Sequence, residues 1–324
     1  MAIIIAGNEG DIITPGIGFT TNASYFDSNY SRVACELSYN LYSDIALSGE
    51  NIGAADSQGF WLGFTYGGTT ADTENYLVQV YDNTGTACYR ARGTGGTAVK
   101  TSIFSDSGSL VDKATGIVFS GSLKRYDIHV YTDSGSTYGE IYINGALEDV
   151  ISCSGSNRGL NKVRFWSITG NGIYNNYRAY VSEVIIATEP TLGMRVKTLS
   201  LTADGSHTDF TGSYTDVDEI TLDGVKMITN TGGHIQTFAH SGGLASDAKY
   251  KALVMSMNVA QGENVPMDGV VRIGGVDYFA SFAYPAAFIG SEARAVVFEA
   301  NPATETAWTG SAINSTEIGL RRGV

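Results

Sequence analysis

The sequence predicts an all-β protein, and three observations support this prediction. Short segments that alternate apolar and polar residues recur at a spacing of roughly 8–12 residues, which is typical of sandwich strands. The chain has 40 glycines and 19 tyrosines but only 16% charged residues, a composition typical of short strands joined by tight turns. The amphipathic segments rich in Leu, Glu and Lys that indicate the helices of a metabolic α/β enzyme are missing from the sequence.

The clearest strand pattern begins at Tyr126. The side chains of Tyr126, Ile128 and Val130 fall on one side of a strand, and those of Asp127 and His129 fall on the other. This period of two predicts that the first side is buried and the second faces outward.

A hairpin and a third strand follow this first strand. Residues 133–137, Asp-Ser-Gly-Ser-Thr, are all turn formers. The return strand is predicted to bury Ile141 and Ile143 and to end at Asn144-Gly145, a dipeptide that tolerates the positive φ of a type I′ turn. Residues 146–151 give a third short strand, so the segment is predicted to be a meander in the middle of a sheet.

The same reasoning predicts further strands in the first half, near residues 32–37, 59–66, 76–82, 87–92, 117–119, 162–168 and 179–187. An apolar strand at residues 1–6 would be an exposed edge unless paired, so we expect it to pair within the sandwich or with a neighbouring subunit. Trp61, Trp166 and Trp308 stand in apolar contexts and are predicted to be core residues.

The first half resembles a laminin G-like, or concanavalin A-like, jelly roll. The likeness rests on Gly139-Glu-Ile-Tyr-Ile-Asn-Gly-Ala-Leu, on Trp61-Leu-Gly-Phe, and on Arg178-Ala-Tyr-Val-Ser-Glu-Val-Ile-Ile-Ala, which resembles the closing strand of that fold. The resemblance implies such a domain over residues 1–189. Domains of this kind bind sugars, proteins or metal ions, and in some families hydrolyse glycans, so the fold does not choose among functions.

The second half is predicted to be a smaller β-sandwich-like domain over residues 190–324, after a join at Glu189-Pro190. A hairpin is expected to turn at Gly274-Gly275, and Thr309 is expected to cap a short helix that runs to about Thr316 and ends at Gly319. Other strands are predicted near residues 194–201, 219–222, 235–238, 250–259 and 293–298.

Residues 178–324 also resemble uncharacterised structural proteins of tailed bacteriophages and prophages. The likeness rests on Ser182-Glu-Val-Ile-Ile-Ala-Thr-Glu followed by Gly193-Met-Arg-Val, on residues 210–219, and on residues 299–309. No motif in these stretches is catalytic, so the resemblance implies a place in a virion rather than a reaction.

Charge and cysteine content exclude several classes of protein. The net charge is −13, with 11 Lys and Arg against 19 Asp and Glu up to residue 189, and 9 against 14 after it. No basic patch is visible in the sequence, which argues against a nucleic-acid partner. No apolar run is long enough for membrane insertion, and the N-terminus lacks the pattern of a signal peptide. Three cysteines without a CxxC motif are predicted to be free and buried or half-buried: Cys35, Cys88 and Cys153.

Motifs for catalysis and metal binding are also missing from the sequence. It contains no nucleophile elbow, zinc-protease motif or Walker loop. The paired carboxylates that glycosidases of the jelly-roll fold carry along one strand are also missing, and the segment most similar to them is Asp216-Val-Asp-Glu. His234 and His240 are interpreted as solvent-facing or hydrogen-bonded rather than metal ligands. No cofactor is predicted; the resemblance allows calcium near one rim, but no loop has the ligand spacing of an EF-hand and no ligands are assigned.

The predicted binding site is a loop that carries Tyr174, Asn175, Asn176 and Tyr177. Tyrosine and asparagine are favoured in adaptable binding loops, and a tyrosine in a Gly/Asn-rich loop has no obvious core to fill. The alternative interpretation is that Tyr174 packs against the domain join or a subunit interface.

The sequence therefore predicts a non-enzymatic structural or adhesion protein of a phage virion, assembled in the host cytoplasm. It would be a component of the tail fibre or baseplate, or a fibre on the capsid surface. Expected partners are other virion proteins, further copies of the chain (forming a trimer if it is a fibre) and a host-surface glycan. Two alternatives stay open: a capsid decoration protein without host contact, and a domain that binds or cleaves glycans.

Overall fold

The computed structural model describes residues 3–7, 18–20, 29–31, 34–37, 42–47, 51–68, 76–94, 98–118, 123–166, 179–218, 226–261, 265–281 and 290–323. Within these ranges the chain forms 23 β-strands, numbered here in chain order, one short α-helix and one short 3-10 helix. The all-β class predicted from the sequence is confirmed.

Two antiparallel sheets form a sandwich in the first part of the chain. The order across the larger, eight-stranded sheet is β12 (Ala146–Ser154), β11 (Ser136–Ile143), β10 (Lys124–Asp133), β5 (Phe60–Gly68), β14 (Ala179–Ala187), β3 (Ala34–Leu37) and β2 (Gly18–Thr20), and β1 (Ile3–Gly7) also pairs with β14. The order across the six-stranded sheet is β4 (Tyr42–Ala46), β13 (Lys162–Trp166), β6 (Tyr76–Tyr81), β7 (Ala87–Thr94), β8 (Ala98–Phe104) and β9 (Leu110–Val118). Apolar side chains from the inner faces of both sheets form one core.

The predicted meander is confirmed. Strands β10, β11 and β12 are consecutive and antiparallel. Tyr126, Ile128 and Val130 point into the core, as do Ile141 and Ile143. The turn at residues 144–145 has φ of 51° and 84° at its two central positions, the left-handed geometry that a type I′ turn requires.

The N-terminal strand pairs within the sandwich, which was one of the two expected outcomes. β1 runs antiparallel to β14, and the side chains of Ile3 and Ile185 share an apolar cluster. The same β14 carries a bulge at Glu183, whose φ is 52°. All nine residues of β14 are buried, so this strand is central to the sandwich.

Asp127 points away from the core of the sandwich, as predicted, but it is not accessible to solvent, because a later segment covers it. Its side chain is fully buried. Thr191, which follows β14 in the chain, donates a hydrogen bond of 2.7 Å from Oγ1 to Oδ1 of Asp127, and Arg125 lies 3.3 Å from the same oxygen. Burial raises the pKa of Asp127 above its usual range. The segment after β14 thus lies across the outer face of the eight-stranded sheet.

The second part of the chain contains a five-stranded antiparallel sheet and two ribbons. The order across the sheet is β15 (Leu201–Thr208), β16 (Ile235–His240), β23 (Glu317–Arg322), β19 (Met267–Ile273) and β20 (Val276–Ser281). The ribbons are β17 (Lys249–Tyr250) with β22 (Trp308–Thr309), and β18 (Leu253–Gln261) with β21 (Gly290–Phe298). The predicted hairpin turn at Gly274-Gly275 is confirmed.

The ribbon of β18 and β21 packs on both parts of the chain. Alternate residues such as Met255 and Val296 belong to the core beneath the five-stranded sheet. Their neighbours Val254 and Val297 pack into the apolar cluster of β1 and β14. Because strand side chains alternate between faces, one ribbon serves both cores. The division of the chain at residue 189 remains a prediction.

The helix near the C-terminus is shorter than expected. Thr309 caps it as predicted, since its side chain accepts a hydrogen bond from the Ala312 backbone nitrogen, but the helix covers only Gly310–Asn314. Gly319 does not end this helix; it lies in β23, where a Cβ atom would come within 1.9 Å of the Gln236 carbonyl oxygen. Close strand approach explains this glycine. The strand predicted at residues 219–222 falls outside the described residues.

The position of His240 predicts a pH dependence of stability. Its Nδ1 accepts a hydrogen bond from the Gly242 backbone nitrogen, and burial lowers its pKa below the ordinary value of 6.5. The unfolded chain then binds a proton at this residue more readily than the folded chain, so the free energy of unfolding falls as pH drops below 6.5. We expect His240→Gln to remove this contribution. Between neutral and acidic pH, the free energy of unfolding measured by urea denaturation should therefore fall more for the native chain than for the variant. Parallel pH profiles would contradict this.

Candidate functional site

The loop predicted as the binding site lies outside the described residues. Tyr174, Asn175, Asn176 and Tyr177 belong to residues 167–178, between the end of β13 and the start of β14. Their role stays a prediction. The described residue that precedes them is Trp166, and it lies on a surface with a distinct chemistry.

This surface is the outer face of the six-stranded sheet, and we call it the six-stranded face. Inward residues of each strand, such as Val80, Ile103 and Phe165, belong to the core. Their neighbours therefore point outward. From β4 to β9, the directly opposed outward residues form one row across all six strands: Asp44, Arg164, Gln79, Arg90, Ser102 and Asp112.

Gln79 organises the centre of this row. Its Oε1 accepts a hydrogen bond of 2.6 Å from the Tyr81 hydroxyl and one of 2.7 Å from Nε1 of Trp166. Only 4% of Gln79 is exposed, so both rings are held against a fixed partner. With Oε1 occupied, the amide nitrogen is the donor end of this side chain.

The prediction that Trp166 is a core residue is wrong. Val163 and Phe165 point into the core, so the alternation of β13 places Trp166 on the outer face, where it is half-buried. Trp308 is a core residue as predicted, and Trp61 is also buried, although it lies on the outer face of the eight-stranded sheet. The parity of residues 162–166 was a signal in the sequence that could have given the correct side for Trp166.

Cations cover the aromatic rings at one end of the face. The guanidinium of Arg164 makes two hydrogen bonds of 2.6 and 2.7 Å with the carboxylate of Asp44. It lies 5.3 Å from the ring centre of Trp166 and 5.7 Å from that of Tyr81. The ammonium of Lys162 lies 4.7 Å from the Tyr81 ring. Carboxylate and rings together fix the direction of the guanidinium.

A second group of cations lies toward the other end. The guanidinium of Arg90 lies 4.7 Å from the ring centre of Phe104. Arg92 is 3.7 Å from the carboxylate of Asp112, and Lys100 is directly opposite Arg92 in the neighbouring strand. Among the described residues of the six-stranded face, five cations stand against two carboxylates: Arg90, Arg92, Lys100, Lys162 and Arg164 against Asp44 and Asp112. This local excess contrasts with the net charge of −13 for the chain.

The outer face of the eight-stranded sheet also carries aromatic residues, but these stack on one another. The ring centres of Trp61 and His129 are 4.0 Å apart, those of His129 and Tyr131 are 4.4 Å apart, and those of Tyr131 and Tyr138 are 5.3 Å apart. Glu140 accepts a hydrogen bond from the Tyr131 hydroxyl and lies 3.2 Å from Nδ1 of His129. Each ring covers the face of the next, so this ladder stabilises the sheet and offers little surface for a ligand.

The histidine and carboxylate candidates from the sequence have structural roles. Nδ1 of His234 lies 3.0 Å from the Thr229 hydroxyl, and Nε2 of His240 lies 3.2 Å from that of Thr316. The hydrogen-bonded interpretation of both histidines is therefore confirmed. Asp216 accepts a hydrogen bond from the Ser213 backbone nitrogen at the start of the 3-10 helix Tyr214–Asp216.

The described residues also bear on metal binding, the cysteines and membrane segments. Within the described ranges, no group of three or more His, Cys, Asp or Glu is placed to hold a metal ion. Calcium binding stays a prediction. Cys35, Cys88 and Cys153 are free and buried, as predicted. None of the helices in the described part of the chain is long and apolar enough to cross a membrane.

Comparison with known proteins gives matches in structure only. No protein-family model and no curated protein matches the chain. The receptor binding domain of botulinum neurotoxin D is similar with 10% identity and a TM-score of 0.44, over 90% of this chain and 81% of that chain. The binding domain of Paraclostridial Mosquitocidal Protein 1 is similar with 11% identity and a TM-score of 0.42, over 100% and 97%.

A third similar structure is botulinum neurotoxin type C, whose cell entry is described as dependent upon interaction with two ganglioside molecules. It shares 9% identity with a TM-score of 0.42, over 99% of this chain and 98% of that chain. At TM-scores below 0.5, these similarities bear on neither the family nor the function of this chain.

Proposed function

We propose that this chain is a non-enzymatic adhesion protein that binds a cell-surface glycan through the six-stranded face. The observation that supports the proposal is the polar row across all six strands, from Asp44 to Asp112. The carboxylates of Asp44 and Asp112 and the guanidinium groups of Arg164 and Arg90 flank the amide of Gln79 and the hydroxyl of Ser102, which are nearly fully buried. A glycan presents many hydroxyls, each able to donate and accept a hydrogen bond, and such a row matches that chemistry.

The fixed geometry of the face favours binding. Gln79 holds the rings of Tyr81 and Trp166, and Asp44 holds the guanidinium of Arg164. Groups that are already ordered lose less side-chain entropy when a ligand arrives. These residues lie on strands of a packed sandwich rather than on loops, so the sheet keeps their spacing.

The proposed place of the protein is the virion of a tailed bacteriophage. The resemblance of residues 178–324 to phage structural proteins supports this proposal. In a fibre or baseplate, the sandwich would present the six-stranded face to the host, and further copies of the chain would assemble around a symmetry axis. If the protein instead decorates the capsid, the purified chain will bind phage capsids and no host glycan.

A glycan array tests the adhesion proposal. We expect the purified full chain to bind at least one host-surface glycan, and Gln79→Met to lower the signal by about tenfold, because methionine removes the acceptor that holds the rings of Tyr81 and Trp166. Gln79→Glu keeps the acceptor for the two rings and is expected to lose less. The control Lys226→Gln changes an exposed residue of the second part of the chain and should leave binding unchanged. A native chain that binds no glycan would contradict the proposal.

A further inference from the structure

We infer that the ion pair of Lys113 and Asp149 blocks the edge strand β12, so that a second copy of the chain cannot add a strand there. Any assembly of copies then uses another surface. This inference is independent of the proposed glycan binding. It follows from the place of β12 in the sandwich, from the apolar residues beside it, and from the groups that already bind its outward peptide groups.

β12 and β9 are the outermost of the described strands on one side of the sandwich. β12 ends the eight-stranded sheet, β9 ends the six-stranded sheet, and the two strands contact each other. A strand at a sheet edge has one row of backbone N–H and C=O groups that its own sheet does not use, and another chain can pair with that row.

Exposed apolar residues on this side of the sandwich would favour such pairing. Leu147 and Val150 of β12 are 52% and 38% exposed, and Leu110 of β9 is 51% exposed. An edge strand with large exposed apolar side chains is a site of self-association, because pairing satisfies its peptide groups and buries its side chains together. A chain that stays dispersed needs a device that prevents this pairing.

Both outward peptide groups of Val150 already have partners. Its backbone nitrogen donates a hydrogen bond of 2.9 Å to Oδ1 of Asp149, and its carbonyl oxygen accepts one of 2.9 Å from Nζ of Lys113. Neither partner is a backbone group of β11, so the peptide groups of Val150 point away from the sheet. Because these directions alternate along an antiparallel strand, the peptide groups of Ser152 and Ser154 point the same way.

Lys113 reaches β12 from the other sheet. It lies two residues after Val111, which packs against the core, so its side chain leaves the inner side of β9. Its ammonium lies 2.5 Å from Oδ1 of Asp149, the same oxygen that binds the Val150 nitrogen. An incoming strand would have to displace this charged pair before it could bind the peptide groups of Val150.

The shape of β12 acts in the same direction as the ion pair. Tyr142 of β11 is opposite Leu147, whereas the residue before it is opposite Asp149. β12 therefore has one extra residue there, which is a β-bulge, and a bulge twists an edge strand and interrupts the spacing of its peptide groups. Residues 150–154 keep the regular spacing that a second strand could follow, and the ion pair covers the first of them.

Light scattering over a wide range of protein concentration tests the inference. The test variant of the full chain is Lys113→Ala with Asp149→Ala, which keeps the net charge at −13 and leaves neither charge without its partner. We expect its self-association constant to exceed that of the native chain by at least about tenfold, since each backbone hydrogen bond gained at the freed edge contributes about two- to tenfold. Assembly through other surfaces is common to both chains.

Two control variants separate edge protection from a general loss of charge. Lys251→Ala with Glu189→Ala also removes one lysine and one carboxylate that form an ion pair, and it should associate like the native chain. Lys113→Arg keeps a charged donor for the carbonyl oxygen of Val150 and should also associate like the native chain. Far-UV circular dichroism and urea denaturation check that every variant folds.

Cross-linking locates the association to β12. A twofold axis at Ser152, which is exposed, would bring this residue of two paired copies together. Ser152→Cys treated with a short bis-maleimide should therefore give at least about tenfold more cross-linked dimer in the double variant than in the native background. The three native cysteines are buried, and the chain without Ser152→Cys measures their reaction.

Three outcomes would overturn the inference. If the double variant associates no more than the native chain, the ion pair does not protect the edge. If the Lys251 control associates as strongly as the double variant, the loss of any ion pair is sufficient. If Ser152→Cys cross-links as readily in the native background, or if the double variant associates without this cross-link, β12 is not the strand that the pair blocks.

Discussion

Replacing Trp308 with alanine is expected to lower the free energy of unfolding by about 3–5 kcal/mol, because the change removes the largest fully buried side chain of the described residues. Trp308 lies in the core beneath the five-stranded sheet, together with Phe298, Leu253 and Ile313. Its Nε1 donates a hydrogen bond of 2.7 Å to the Phe298 carbonyl oxygen. Alanine would leave a cavity and also remove that donor. Urea denaturation followed by far-UV circular dichroism measures the loss.

Trp308→Phe separates the two contributions to this loss. Phenylalanine fills most of the space but cannot donate to the carbonyl oxygen, so the expected loss is about 1–3 kcal/mol. A loss below about 1 kcal/mol for the alanine variant would contradict the placement of Trp308 in a packed core.

Replacing Arg195 with alanine is expected to lower the free energy of unfolding by about 3 kcal/mol, because it leaves the carboxylate of Glu183 buried without its guanidinium. Glu183 is fully buried at the bulge of β14, and Arg195 makes two hydrogen bonds to it, of 2.6 and 2.7 Å. The Thr65 hydroxyl and the Val196 backbone nitrogen also contact this carboxylate, which places the expected loss at the lower end of the range for buried pairs.

An exposed ion pair between Lys251 and Glu189 supplies the control. Lys251 lies 2.8 Å from the carboxylate of Glu189, and 52% of its side chain is exposed. Lys251→Ala should therefore change stability by less than about 1 kcal/mol. The double variant Glu183→Gln with Arg195→Ala should recover part of the loss, since the buried charge is gone. Equal losses for Arg195→Ala and Lys251→Ala would contradict the argument.

The sequence by itself determined the local features of this protein. The alternation of Tyr126, Ile128 and Val130 predicted which side of β10 is buried, and Asn144-Gly145 predicted the turn after β11. The capping role of Thr309 was also visible. Each of these features depends on residues a few positions apart, and the spacing of strand side chains or the φ preference of a turn residue is enough to find it.

Only the tertiary structure decided the six-stranded face. Asp44 and Arg164 form one ion pair although 120 positions separate them in the chain. Local periodicity shows that each points outward from its own strand, but it holds no information on which strands pair or in which register. The cations of this face are scattered through the sequence, so no basic patch was visible there, and the structure gathers them on one surface.

The tertiary structure also decided which outward positions stay accessible. Asp127 and Arg164 both point away from the core of the sandwich, yet Asp127 is buried because the segment around Thr191 lies over it, whereas Arg164 stays on the surface of the sheet. Alternation places a side chain on a face of its sheet, but a distant segment of the chain determines whether that face is covered.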